Sequence, residues 1–349
     1  MTKAFRHIRR MPVDFFRRSM NWGVFLSDAS DPAGDHGARF VMRRDLRTNL
    51  GKRKNSTGKK KQMPQPELLV DCQCHTGENP LWHPLERCLY WTDIPRGNLF
   101  RYFPASHRSE QCYSGEPVGG FTIQADGALL LFMARGAVAV WNGGKLRSVV
   151  EEIPDESEGR FNDVIADPAG RVFCGTMATP AHAGRLYRLD PDGSLHRILD
   201  GVGIPNGMGF TPDRRRMYFT DSKARRIYLL DYDAHTGGLS NRRVWLQTPE
   251  GAGEPDGMTV DSQGNVWSAR WNGSALYRYS PDGIEQERAE FPARKVSSVT
   301  FGGDDLQDLY VTTALADGTR LEEGAGAGAL FRLQAEIRGV PEFFSRLEV

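Results

Sequence analysis

The chain of 349 residues is 39% hydrophobic and 26% charged, enough apolar material for a sizeable core, and its 38 glycines and 20 prolines favour many turns and short elements over long helices. The near balance of 45 basic against 44 acidic residues hides two unlike segments: residues 1–62 hold 16 basic and 5 acidic side chains, residues 63–349 hold 29 and 39. No apolar run reaches the ~18 residues of a membrane helix, and the N-terminus lacks the apolar stretch of a secretory signal, so neither a membrane partner nor export is expected.

Residues 1–62 read poorly as part of a fold. Arg9-Arg10, Arg17-Arg18, Arg43-Arg44 and the run Gly51–Lys61 are separated by apolar residues without sustained periodicity, too little apolar surface to offset the entropy of ordering the chain. Three readings stand: a nucleic-acid arm or import signal, a disordered basic extension, or upstream sequence not normally translated, with the domain starting at Met63. The domain itself is expected at residues 63–349, with no nucleic-acid partner. Five cysteines, Cys72, Cys74, Cys88, Cys112 and Cys174, form no disulfide framework. Reduced thiols in a cytoplasmic protein are expected. Cys72-X-Cys74 has no zinc spacing and reads as structural.

From Met63 onward one pattern recurs: a short apolar strand, a turn of Asp, Pro and Gly, and a strand rich in β-branched or aromatic residues. Its instances are Pro80–Asp93, Phe121–Phe132, Asn162–Gly175, Asn206–Asp221, Asp256–Ala269 and Ser297–Thr312. Their spacing of about 44 residues suits a four-stranded propeller blade. Third strands repeat too, as in Leu99-Phe100-Arg101-Tyr102, Leu186-Tyr187-Arg188-Leu189, Ile227-Tyr228-Leu229-Leu230, Leu276-Tyr277-Arg278-Tyr279 and Leu330-Phe331-Arg332-Leu333. Alternation at period two gives each strand a buried and a more polar face. The expected fold is all-β, a six-bladed β-propeller, with the strand Glu67–Asp71 pairing with C-terminal residues to close the ring. A β-sandwich with coincidental spacing is the alternative.

Aligning the turns sets Glu78, Phe121, Asn162, Asn206, Asp256 and Ser297 at one repeat position, the start of each innermost strand. Glu78, Asn162, Asn206 and Asp256 would converge on the central axis from four blades. Oxygen-only donors suit hard cations such as Ca²⁺, Mg²⁺ or Mn²⁺; the same residues could instead line a wet channel mouth.

With these residues in view, the chain resembles the regucalcin/gluconolactonase family, also called the senescence-marker-protein-30 family. The resemblance runs from about Glu67 to Arg332 and is carried by Gly77-Glu78-Asn79-Pro80-Leu81-Trp82, Gly159-Arg160-Phe161-Asn162-Asp163, Gly175-Thr176-Met177, Pro205-Asn206-Gly207 and Pro255-Asp256-Gly257-Met258. It implies a six-bladed propeller that binds one divalent cation (Ca²⁺, Zn²⁺, Mn²⁺ or Mg²⁺) and hydrolyses a sugar lactone. It further implies metal ligation by Glu78, Asn206 and Asp256, and substrate contacts from Arg160 and Asn162, with Asn162 near the metal. In some members the segment after Gly-Thr-Met is longer and carries an acidic substrate contact. Here Ala178–Gly184 is short and has no carboxylate. That leaves the sugar open and places His182 either at the pocket rim or in a solvated loop.

Lactone hydrolysis needs a polarised carbonyl, a deprotonated water and oxyanion stabilisation, of which a divalent cation supplies the first and third. Asp256 is the candidate general base, and Arg160 offers a planar fork for sugar hydroxyls or the new carboxylate. No Gly-X-Ser-X-Gly elbow, phosphate loop or dinucleotide fingerprint competes. The alternatives are an organophosphate-ester hydrolase and a non-enzymatic calcium-binding propeller. The partner expected is the small-molecule lactone, and the protein a monomer or small homo-oligomer.

Overall fold

Six four-stranded antiparallel sheets make up the protein in the computed structural model, which describes residues 63–348; the expectation for residues 1–62 lies outside the described residues. The first blade runs Gly77–His83, Cys88–Asp93, Asn98–Phe103 and Arg108–Ser114 in spatial order, and the next four follow the same hairpin order. Their leading strands are Val118–Ile123, Phe161–Ala166, Pro205–Phe210 and Glu254–Val260. The sixth blade takes Lys295–Gly302, Asp308–Ala314 and Leu330–Gln334 from the C-terminal side and its outermost strand, Glu67–Val70, from the N-terminal side. Leu68 stands opposite Phe331 in that last ladder, which closes the ring as expected. Neighbouring leading strands touch all the way round, so they line the axis.

Local chemistry explains why each blade turns where it does. Asp167 Oδ1 accepts from the amides of Ala169 at 2.8 Å and Arg171 at 3.0 Å. Asp261 Oδ1 does the same for Gln263 at 2.9 Å and Asn265 at 3.0 Å. These Asx turns close on Gly170 and Gly264, whose φ of +88° and +83° lies in the left-handed region that glycine tolerates.

The expected one-sided burial holds only toward the rim. Leading and second strands such as Pro205–Phe210 and Leu129–Met133 are buried along their whole length, whereas the fourth strand Arg108–Ser114 is largely exposed. The reason is that each sheet is packed between two neighbours, so only its outer edge meets solvent. Phe173, Phe210 and Tyr232 make one such inter-blade seam, with Phe210 and Tyr232 ring centroids 4.8 Å apart.

One element has no counterpart in the repeat pattern. The C-terminal segment Ala335–Glu348 runs across the ends of the leading strands where the turns lie. Ser262 N donates to Arg338 O at 2.9 Å, Gly339 N to Leu306 O at 2.8 Å, Ser345 N to Ile123 O at 2.8 Å and Arg346 N to Gly170 O at 3.0 Å. The strap thus ties blades 2, 3, 5 and 6, while Phe343 packs on Phe210 of blade 4. Glu342 lines a small cavity of about 50 Å³ on this side of the channel, and burial pushes its carboxyl up to about 7.

Two stability predictions follow from this packing. A Cβ on Gly119 would sit 2.0 Å from the Phe161 carbonyl oxygen of the next blade, and backbone cannot swing aside. Gly119→Ala should therefore cost about 1–3 kcal/mol in denaturant unfolding; an unchanged midpoint would show that the seam is loose. For Glu342 the folded pKa stands above the ordinary value of 4.5, so the native state holds its proton more tightly. Its burial then destabilises the fold progressively as pH rises from about 4.5 through about 7. Glu342→Gln should be more stable than the parent by about 1–3 kcal/mol at pH 8 and nearly equal to it at pH 4.5, as read by thermal unfolding at both pH values.

Candidate active site

Every leading strand carries a register shift at its starting end, between Glu78 and Leu81, Val118 and Gly120, Phe161 and Val164, Asn206 and Met208, Pro255 and Met258, and Val296 and Ser298. Such bulges break the pleat and re-aim a side chain. Here they deliver polar groups to the axis from strands that are otherwise apolar.

A cavity of about 150 Å³ lies at that end of the ring. Glu78, Asn162, Asn206 and Asp256 all line it, at 4–6% exposure, and Arg160 joins them from just before the third leading strand. Arg160 Nη1 donates to Asn162 Oδ1 and to the Phe161 carbonyl, each at 2.8 Å. That leaves Asn162 Nδ2 to donate to Pro205 O at 2.8 Å. Asn206 Nδ2 donates to Ser222 Oγ at 3.1 Å and to Asp256 Oδ1. Glu78 Oε2 accepts from the Asn79 amide at 3.1 Å. All five expected residues therefore stand around one space.

The electrostatics of that space are one-sided. Burial, then the charges of Asp256 and Asp163, push the Glu78 carboxyl well above its ordinary range. Burial and the Asp163 charge do the same to Asp256. Asp163 is pushed up to about 7 by burial, with the Arg160 guanidinium opposing. Its Oδ1 is buried without a hydrogen-bond partner. Glu78, Glu254 and Asp256 thus line the cavity with one guanidinium, and Asp163, which lines the small cavity shared with Glu342, adds its charge to them; neutral pH makes such an arrangement costly unless a cation joins it. Among the described residues no three His, Cys, Asp or Glu side chains gather as a ligand cluster. The donor set at hand is instead two carboxylates and an amide, Glu78, Asp256 and Asn206, all oxygen ligands and so suited to a hard divalent cation.

Two members of the aligned set do not reach the site. Phe121 is 1% exposed and packs edge-on against Tyr90. The second blade's true counterpart is Gly119: Gln124, not the Asp126-Gly127 pair, starts the turn, its amide donating to Ala128 O just as Asp167 N donates to Arg171 O. Ser297 is fully buried and donates to the Gly77 carbonyl at 2.5 Å, joining the first and last blades. His182 does not line the cavity. Its Nε2 lies 2.8 Å from Asp155 O and its Nδ1 2.7 Å from Ala183 O. Two carbonyl acceptors favour the imidazolium and raise its pKa, so it ties down the loop ahead of Arg160.

Further lining residues had no marker of their own in the sequence: Thr76, Ser222, Glu254 and Trp271, with apolar Ile94 and Ile204; Met177, from the Gly175-Thr176-Met177 motif, joins them. Glu254 and Trp271 stand directly opposite each other in the fifth blade, so their side chains share a face and form one wall of the cavity. A carboxylate beside an indole suits a polyhydroxylated ligand, one accepting hydroxyl hydrogens and the other covering a C–H face. The larger cavity of about 410 Å³ near Gln263 and Ile337 includes Arg278, Glu287 and Glu336 but none of the residues at the heads of the leading strands.

Residues 76–315 match the model of the SMP-30/gluconolactonase/LRE-like region. A pentonolactonase of Haloferax volcanii is 50% identical over 79% of this chain and 97% of its own length. Regucalcin of Danio rerio is 33% identical over the same two shares. Among solved structures, a calcium-binding protein, regucalcin, from Agrobacterium tumefaciens superposes with a TM-score of 0.76 at 27% identity, covering 82% of this chain and 98% of that one.

Proposed function

The chain belongs to the SMP-30/gluconolactonase/LRE-like family, and on that footing we propose that it hydrolyses a sugar lactone, an aldonolactone, to the sugar acid with the help of one divalent cation. The observation that carries this reading is the convergence of the buried Glu78, Asn206 and Asp256 on one cavity that holds a single guanidinium, with the Asp163 charge close enough to raise both carboxyls. Kinship with a pentonolactonase supports the lactone, and the likeness to a calcium-binding regucalcin supports the cation.

Glu78, Asn206 and Asp256 would hold the cation, which when bound supplies Lewis acidity toward the lactone carbonyl and its developing oxyanion. The chain's own groups do the rest. Asp256 accepts the proton of the attacking water as oxygen adds to the carbonyl carbon. The ring C–O bond then breaks, the pair of electrons leaves on the ring oxygen, and that oxygen takes the proton back to become a hydroxyl. Arg160, held by Asn162 and the Phe161 carbonyl, presents its remaining N–H groups to sugar hydroxyls and then to the new carboxylate. Ile94, Met177 and Ile204 limit water on the apolar side. No observation favours phosphotriester hydrolysis or cation binding without turnover.

Removing a carboxylate ligand should be decisive for the cation. Asp256→Ala and Glu78→Ala are expected to lose stoichiometric binding in calorimetry, whereas Glu285→Ala, in the outermost strand of the fifth blade, keeps it. Binding to the parent should release protons, because carboxyls raised by burial and mutual repulsion give them up when a cation arrives. Undiminished binding by Asp256→Ala would overturn the ligand set. Arg160→Ala should instead retain the cation and lose about 10- to 150-fold in kcat/KM, the worth of a hydrogen bond to a charged group, about 1.5–3 kcal/mol. Unchanged kcat/KM on the best lactone would remove Arg160 from the substrate site.

A further inference from the structure

We propose that Cys72 and Cys74 form a peroxide-reactive dithiol in which Cys72 is the attacking sulfur and Cys74 resolves it to a disulfide. The two sulfurs lie 3.4 Å apart, with the Cys74 thiol donating to Cys72 Sγ. Between them Gln73 has a φ of +50°, a left-handed bend uncommon outside glycine. Cys72 is half-buried and open to small reagents, while Cys74 is fully buried behind it. That is the order a nucleophile and its resolving partner require.

A second observation concerns the donors around Cys72. The Trp91 indole N–H is completely buried and has no hydrogen-bond partner, and Trp91 packs in the same cluster as Cys74 and Cys72. A buried unpaired donor is expensive in a structural core; here it gains an acceptor when Cys72 ionises. The Arg320 guanidinium, clamped on Asp71, also feels the charge of Cys72. Consistent with this setting, the Cys74 hydrogen bond, aided by Trp91, holds the Cys72 thiol below its ordinary range. The Cys74 thiol is raised well above that range by its bond to Cys72 and by burial. Burial pushes Cys88 and Cys112 up to about 12, so neither competes.

The chemistry balances with a hydroperoxide as oxidant. Cys72 thiolate attacks the distal oxygen, the O–O bond breaks, and the leaving alkoxide or hydroxide takes a proton, leaving a sulfenic acid. Cys74 sulfur then attacks Cys72 Sγ, loses its own proton and expels the sulfenic oxygen as water. The two thiols lose two electrons and the peroxide gains them. Closure from 3.4 Å to a bond of about 2.05 Å falls on Cys72. The Cys74 backbone is anchored, its amide donating to Gly328 O at 2.8 Å and its carbonyl accepting from Leu315 N at 3.2 Å.

The test treats the full chain with one equivalent of hydrogen peroxide near neutral pH, blocks remaining thiols and digests with trypsin. The peptide Gln62–Arg87 holds only these two cysteines. It should lose the mass of two hydrogen atoms and regain it with dithiothreitol. Cys74→Ser should stop at a sulfenic acid on Cys72 that dimedone traps, and Cys72→Ser should leave Cys74 reduced. In the unmodified protein Cys72 should alkylate at least about 10-fold faster than Cys112, a comparison that needs no variant. Absence of the mass loss, or oxidation of Cys112 ahead of Cys72, would overturn the proposal.

Discussion

Like charges that water cannot screen are the constraint on which this site depends. Glu78, Asp163 and Asp256 come from three different blades, each only 4–8% exposed, and the ring holds the Asp163 charge near the other two, so their repulsion is set by the fold. Apolar seams such as that of Phe173, Phe210 and Tyr232 hold the blades together, and the ladder of Glu67–Val70 on Leu330–Gln334 keeps the ring shut. The ring's stability thus maintains the electrostatic strain that the proposed cation would relieve.

The two ends of the channel divide the labour. At one end the leading strands begin with bulges that turn Glu78, Asn162, Asn206 and Asp256 inward. At the other end the C-terminal strap ties the turns of several blades by backbone hydrogen bonds. Close approach of neighbouring blades at glycines such as Gly119 and Gly207 makes the narrow axis possible, since a Cβ at Gly207 would meet the Asp256 carbonyl oxygen at 2.6 Å. Backbone proximity there places Asn206 and Asp256, from adjacent blades, side by side.

Much of this was legible in the sequence because a repeat exposes its own exceptions. Once the turns were aligned, carboxylates and amides at the head of apolar strands stood out, and family motifs surrounded the same residues. The alignment slipped by two positions in the second blade because Asp126-Gly127 resembles the start of a turn that Gln124 in fact begins, and Phe121 was carried along. Glu254, Trp271 and Ser222 were not legible, since they reach the cavity through cross-strand pairing and strand-end position, which no spacing rule marks. The strap was hidden for a related reason: apart from the side chains of Thr122, Gln124 and Ser345, its bonds are made by backbone, which leaves no trace in residue type. Nor did the Cys72-X-Cys74 spacing reveal Trp91, which arrives from the strand Cys88–Asp93 and packs against both cysteines with its indole N–H unpaired.

The central claim is that a single cation, held by oxygen ligands from three blades, completes a lactone-cleaving site. It is tested most directly by stripping the protein of metal, confirming that by elemental analysis, and following aldonolactone hydrolysis while Ca²⁺, Zn²⁺, Mn²⁺ or Mg²⁺ is added in steps. The account predicts a rate near background in the stripped protein that rises and saturates at one cation per chain for at least one of them. Full lactone hydrolysis by protein shown to be metal-free would contradict it.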